Sequence, residues 1–399
     1  MPISLCDVLF SYAFRPFFLL VGFYAVLIVA VWGLFLANSG LWPAWPPAPF
    51  RHGHELIFGF GGGAIAGFLL TAIANWTGRP PVSGRPLQGL VIAWLAARLG
   101  GVLPGSAALA LWSVASLLFW SGLMVLAARE VWAVRQTRNY KAPVVLAGFS
   151  IAELLFFNTA AGGPPWFRES LWAGLWLVMG MIMLIGGRII PAFTANWLRL
   201  NRPDVPAVIP LFDRVDRVVV VMTGIAAIAL VFWPVGWLTG VLALLAGVLQ
   251  AVRLFRWRGW LAAREPLLWV LHLGYGWIAV GLLLLGGAAL TGGAPTSGIH
   301  ALTYGAIGTL VLGVAARVAL GHTGRPLQTF PTMRVAFVLI ILGALCRVVA
   351  GGLSGWLLWL SIALWIAAYS LFVIQYAGIL LTPRQDSPGL PIIQPRGPR

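Results

Sequence analysis

HALTYGAIGTLVLGVAARVALGHTGRP, residues 300–326, has a histidine at its head and a second one 22 positions on, with Arg317 the only charge between them. In an α-helix roughly 33 Å separates the two imidazoles, about the thickness of a bilayer's hydrocarbon core. The stretch reads as a membrane-spanning helix with His300 near one face and His322 near the other. At roughly 100° per residue the two side chains also fall within about 40° of each other around the axis, so both are expected to face the interior of one bundle.

The rest of the chain agrees with that reading. Of 399 residues 60% are hydrophobic and only 9% charged, with 21 Trp and 48 Gly, more apolar surface than a soluble chain of this length can bury. The net charge of +16 would point to nucleic acid in a soluble protein. Here the basic residues sit in short loops between apolar runs and act as topology signals, so no nucleic-acid partner is expected. Cys6 and Cys346 lie far apart outside any CxxC or CxxCH pattern, which argues against a disulfide framework, an iron–sulfur site or covalent haem. No basic n-region precedes an apolar h-region at the N-terminus, so insertion by the spans themselves is expected.

Apolar windows of spanning length predict about twelve helices: 17–37, 54–75, 87–103, 106–128, 143–161, 170–191, 216–233, 235–253, 266–290, 298–320, 333–350 and 354–381. Trp233-Pro234 divides the seventh from the eighth. Loops after even-numbered helices hold Arg79 and Arg85; Arg129, Arg135, Arg138 and Lys141; Arg199, Arg202, Arg214 and Arg217; Arg253, Arg256, Arg258 and Arg264; Arg325 and Arg334. Odd-numbered loops offer only Arg51 and Arg168, and the termini add Arg15, Arg384, Arg396 and Arg399. By the positive-inside rule both termini are expected in the cytoplasm. The domain reading is one transmembrane domain over 1–381 and a Pro-rich, polar, disordered tail over 382–399.

The cytoplasmic ends of helices 2, 6 and 10 read TAIANWTGRP (71–80), PAFTANWLRLNRP (191–203) and RVALGHTGRP (317–326), with Asn75, Asn196 and His322 in equivalent places. Three pseudo-repeated four-helix units are one architecture this permits; convergence of short helix ends is the other. Trp76 and Trp197 share a place in the repeat and read as interface anchors or as neighbours of a cofactor. Gly59, Gly63 and Gly67 in helix 2, and Gly305 and Gly313 flanking Thr309 in helix 10, form small-residue stripes. Close helix packing explains them, and a flat macrocycle would need the same absence of side chains.

Five histidines sort into two depths. His52, His54 and His300 fall near the periplasmic face, His272 and His322 near the cytoplasmic one. Imidazole suits haem iron, copper and zinc, and intramembrane ionisable groups are functional candidates because burying them is costly. The economical assignment is a haem or copper site from His54 and His300, with His52 as a third ligand, and a second site from His272 and His322. Two positions apart, His52 and His54 diverge on a regular helix, so their convergence requires His52 to precede the helix.

Arg98 and Arg347, and Arg188 and Arg317 towards the other face, are candidate partners for haem propionates, against the alternative of snorkelling to headgroups. Glu153, followed by Asn158, is the carboxylate deepest in a span and a candidate for a proton or ion path; an uncharged, hydrogen-bonded glutamate is the alternative. Glu55 is expected to orient a neighbouring imidazole.

FRPFFL (14–19), HGHELIFGFGGGAIAGFLLTAIANWTG (52–78), GRIIPAFTANW (187–197), LHLGYGW (271–277) and the opening stretch resemble the NnrS family of bacterial membrane proteins. That resemblance implies a twelve-helix inner-membrane protein that binds b-type haem and copper, tied to denitrification and to protection against nitric oxide stress. It places His52, His54, His272, His300 and His322 within family motifs. More distantly, twelve helices with histidines on helices 2 and 10 resemble the catalytic subunit of haem-copper oxidases and nitric oxide reductases. Helix 6 holds no histidine and no tandem His-His follows it, so reduction of oxygen or nitric oxide by that mechanism is not expected. The function expected is a redox protein of the nitric oxide response with one or two b-type haems and copper, drawing electrons from quinol or another donor. Its rivals are a twelve-helix transporter and a non-enzymatic haem-based sensor or haem-handling factor.

Overall fold

The computed structural model describes residues 4–38, 45–205, 209–351 and 355–385. Among the described residues twelve long helices follow a short one at Leu5–Leu9. They are α1 (Phe14–Ala37), α2 (Ala48–Thr77), α3 (Arg85–Val102), α4 (Ser106–Ala133), α5 (Lys141–Ala160), α6 (Phe167–Asn201), α7 (Arg214–Phe232), α8 (Trp237–Arg256), α9 (Pro266–Thr291), α10 (Thr296–His322), α11 (Pro331–Ala350) and α12 (Trp356–Leu381). Each overlaps one predicted span, and α7 ends one residue before Trp233-Pro234. Eleven are long and apolar enough to cross a membrane; the 18-residue α3 is long enough but less apolar. The chain is an all-α polytopic membrane protein.

Local chemistry sets the helix ends. Asp213 caps α7 in a box with Asp216, proline stands in the first turn of α3, α9 and α11, and left-handed Gly78 and Gly292 terminate α2 and α9. Burial then separates inner from outer helices. Of its most apolar window α2 buries 89%, against 33% for α4 and 39% for α7, α8, α11 and α12. Exposed side chains such as Val349, Phe255 and Ile374 on the outer helices face lipid.

Two compact units make up the chain. The first comprises Met1–Gly174, Ala315–Leu327 and Phe372–Arg399, the second Leu175–Val314 and Gln328–Leu371. Within the first, the α2 stripe is filled by side chains: a Cβ at Gly63 would meet Val21 and Trp94, and one at Gly67 would meet Phe17 and Phe18. Gly100 brings α3 against the α4 backbone at Trp112, and around it Ala97, Trp112, Phe156 and Phe157 form a core. Arg15 donates to the carbonyls of Leu380 and Thr382, and the Gln385 N–H donates to the Thr323 carbonyl; of the tail expected over 382–399, residues 386–399 lie outside the described residues. Within the second unit, Gly240 and Gly247 of α8 lie against Gly286 and Ala279 of α9, while Gly305 and Gly313 of α10 receive Trp277, Val270 and Leu271. Both predicted stripes therefore pack helices.

Three helices widen into π-helical turns: α2 at Glu55–Phe60, α6 at Ile182–Gly186 and α10 at Ala301–Gly308. They are the helices whose ends carry the similar sequences. Such turns are uncommon and concentrate at functional sites. In α10 the widened turns advance each residue by less than the α-helical angle, so the expected common phase of His300 and His322 does not carry through.

Candidate functional site

Helix α2 reaches its π-turn at a His-Glu pair. His54 closes the α-helical part and Glu55 opens the wide turn, and both are fully buried in the first unit. The two nitrogens of His54 face two carboxylates: Nδ1 lies 3.2 Å from Glu55 Oε1 and Nε2 lies 2.8 Å from Glu153 Oε2 of α5. Glu153 accepts a second bond from Trp120 Nε1 of α4 at 3.0 Å. Glu55 Oε2 accepts from the Tyr24 hydroxyl of α1 and from Arg98 Nη1 of α3. Five helices thus converge on one imidazole.

Apolar rings seal the cluster. Phe58, Trp112, Phe156 and Phe157 surround His54 with ring centroids 4.5–5.4 Å away. Gly59 and Gly101 leave the space in which Arg98 and Glu55 pair, since a Cβ at either would strike those side chains. Arg51 lies over the Trp112 ring at 4.7 Å and donates to the carbonyls of Gly101 and Trp45.

Proton counting follows from the contacts. An imidazole nitrogen bonds a carboxylate oxygen only with a hydrogen between them, so His54, Glu55 and Glu153 carry two hydrogens across two contacts. With both on the imidazole, His54 and Arg98 balance the two glutamates. Loss of one proton leaves net negative charge in an apolar interior, an expensive state. In this arrangement both ring nitrogens of His54 are engaged by carboxylates.

His52 does not join it. The helix begins at Ala48, ahead of His52, whose ring instead stacks on Trp32 at 4.1 Å. His322, also in the first unit, packs against Tyr12 and Phe14 with centroids 5.5 Å away.

The second unit holds His272 and His300 in a different state. His272 Nδ1 lies 3.0 Å from the Leu268 carbonyl and His300 Nδ1 lies 2.8 Å from the Thr296 carbonyl. A carbonyl only accepts, so Nδ1 carries the hydrogen and each Nε2 carries the lone pair, the form in which a neutral histidine binds a metal. Thr194 Oγ1 lies 3.4 Å from His272 Nε2 but bonds the Ile190 carbonyl at 2.9 Å. Buried Arg347 is within electrostatic reach of His300 and donates to the Gly351 carbonyl. Arg188 is exposed and lies 5.2 Å from the centre of the Phe212 ring, and Arg317 is half-buried. Among the described residues no group of three or more His, Cys, Asp or Glu side chains is arranged so as to hold a metal ion between them, the mutually bonded His54, Glu55 and Glu153 included.

One buried network was not anticipated. Arg253, counted above as a loop charge, is fully buried in α8; its Nε donates to Asp216 at 2.6 Å and its Nη1 to the Tyr275 hydroxyl at 2.7 Å. Tyr275 donates in turn to Gln250, whose amide reaches Thr223 and Met183. Gln250 and Arg253, three apart on an apolar helix and so on one face, were the signal in the sequence.

A family model described as NnrS protein matches residues 8–384 of the chain. No curated protein matches it.

Proposed function

The chain belongs to the NnrS family, and from that membership we propose a haem- and copper-binding redox protein of the bacterial inner membrane that acts in the nitric oxide response. The observation that carries the metal part is the shared state of His272 and His300, whose Nδ1–H groups are tied to helix carbonyls so that Nε2 is ready to ligate. Both residues would each supply one imidazole to b-type haem, and His322, with a ring against Tyr12 and Phe14, is the remaining candidate at the cytoplasmic depth. Bound haem supplies one-electron chemistry, for which quinol or another membrane donor is the expected source.

The protein's own side chains handle the proton. Reduction of a nitrogen oxide species consumes protons, and the buried imidazole between Glu55 and Glu153 is suited to carry one. Arg98 pairs with Glu55, and Trp120 donates to Glu153 and holds it in place. The arginine-rich loops support cytoplasmic termini.

Oxidised and reduced visible spectra with metal analysis of the purified protein test this reading. Haem b is expected, with loss of haem in His272→Ala or His300→Ala and its retention in His54→Ala. A colourless, metal-free protein from haem-replete cells would overturn it and leave a twelve-helix transporter, for which the same buried His54–Glu153 pair would serve proton coupling.

A further inference from the structure

At the end of α8, in the second unit, an open pocket of about 730 Å³ is lined by Val205, Pro210, Phe255, Arg256, Arg258, Trp260 and Leu261. We propose that it binds the headgroup of an anionic phospholipid, with the acyl chains lying along α8.

The shape of the surface commits the site to a lipid. Val241, Leu245, Val248, Val252 and Phe255 recur at helical spacing and are 44–69% exposed, a continuous apolar stripe that runs into the pocket. Where the stripe ends, the surface turns cationic and aromatic. Phe255 and Trp260 stand with ring centroids 4.7 Å apart, an arrangement suited to the glycerol level of a bilayer. Segments 199–217 and 253–265 hold eight arginines against four carboxylates. An apolar stripe leading to a largely apolar pocket with Arg258 in its lining matches the glycerol and phosphate levels of an anionic phospholipid better than a free ion or a soluble protein.

Within the pocket the two arginines differ. Arg256 is held by Asp213, which takes both its terminal nitrogens. Arg258 has no side-chain hydrogen bond or ion pair among the described residues, and it is the charge left for a phosphate. Its backbone is left-handed, φ 50°, a conformation that favours glycine, yet the position holds an arginine. That strain is what makes the site testable. Arg258→Gly removes the charge while relaxing the backbone, so loss of binding cannot be put down to loss of fold. Arg135, φ 51°, outside the pocket, supplies a matched control in Arg135→Gly.

The experiment is native mass spectrometry of the delipidated full-length protein in detergent with phosphatidylglycerol, phosphatidylcholine or inorganic phosphate. One phosphatidylglycerol is expected to be retained in preference to phosphatidylcholine, and Arg258→Gly to weaken it about fivefold, the effect of one interfacial arginine. Arg135→Gly should bind as the parent does, and neither variant should melt earlier. Unchanged binding in Arg258→Gly, an equal loss in Arg135→Gly, or equal retention of phosphatidylcholine would each overturn the proposal. Displacement of the lipid by millimolar inorganic phosphate would overturn the lipid assignment in favour of a free-anion site.

Discussion

His54 Nε2 and Glu153 Oε2, 99 residues apart in the chain, meet at 2.8 Å with neither side chain exposed. Removing one member of such a buried pair strands the other, at a cost of about 3–5 kcal/mol. Glu153→Ala is expected to destabilise by about that amount, and Glu153→Gln by less, since its amide oxygen still accepts the Trp120 N–H. Thermal unfolding in detergent measures both, and an Ala variant as stable as the parent would show that the pair contributes nothing.

Two glycines in α3 are expected to respond oppositely to alanine. A Cβ at Gly100 would lie 2.8–2.9 Å from the Trp112 Cα and the Ala108 carbonyl, backbone atoms that cannot turn aside. A Cβ at Gly89 meets nothing within 4 Å. Gly100→Ala should cost about 1–3 kcal/mol through overpacking, while Gly89→Ala should gain up to about 1 kcal/mol of helix propensity. Paired melting curves give the comparison, and equal shifts would contradict the α3–α4 approach.

Asp213, at the head of α7, should give a pH signature. The Arg256 guanidinium holds its carboxyl well below the usual carboxylate range. A carboxyl depressed on folding stabilises above its unfolded value, near pH 4, and that contribution fades as pH falls below it. Asp213→Asn, which still caps the helix, should lower stability at neutral pH and flatten the fall in stability between about pH 5 and pH 3. Parallel pH-dependent melts of parent and variant would show this, and superimposable slopes would rule it out.

Arg253 and Asp216 are expected to be strongly non-additive. Arg253→Met leaves Asp216 in an apolar setting without its nearest cation, at about 3–5 kcal/mol, and adding Asp216→Asn should restore part of that loss. A double-mutant cycle on unfolding free energies measures the coupling. Additive effects would mean that the buried ion pair is energetically silent.

Helix number was legible because each span is a long apolar run, and most limits fell within a few residues, but α2 starts six residues ahead of its predicted span and α6 runs ten residues past its own, where the apolar run gives way to polar residues that the helix still includes. Glu153 and Glu55 stood out for the same local reason, as charges inside apolar runs. What surrounds them did not: the closure of Glu153 on His54, of Arg98 on Glu55 and of Arg253 on Asp216 joins residues 37 to 99 positions apart, and no periodicity encodes such distances. The π-turns were equally hidden, since their local composition resembles that of the α-helix around them. His52 and His54 were separable from spacing alone once the start of α2 was known.

The Glu55–Arg98 bond also constrains how the chain is made. Glu55 emerges from the ribosome 43 residues before Arg98, its partner on α3, and 98 before Glu153 completes the cluster. Helix α3, short of spanning hydropathy and carrying Arg98, is poorly suited to enter the bilayer alone. Helix α2 brings an acidic side chain that enters more cheaply once paired. Each lowers the other's barrier, so α2 and α3 are matched to leave the translocation channel together as a hairpin, and Glu55→Gln would be read first as a defect in the insertion of α3.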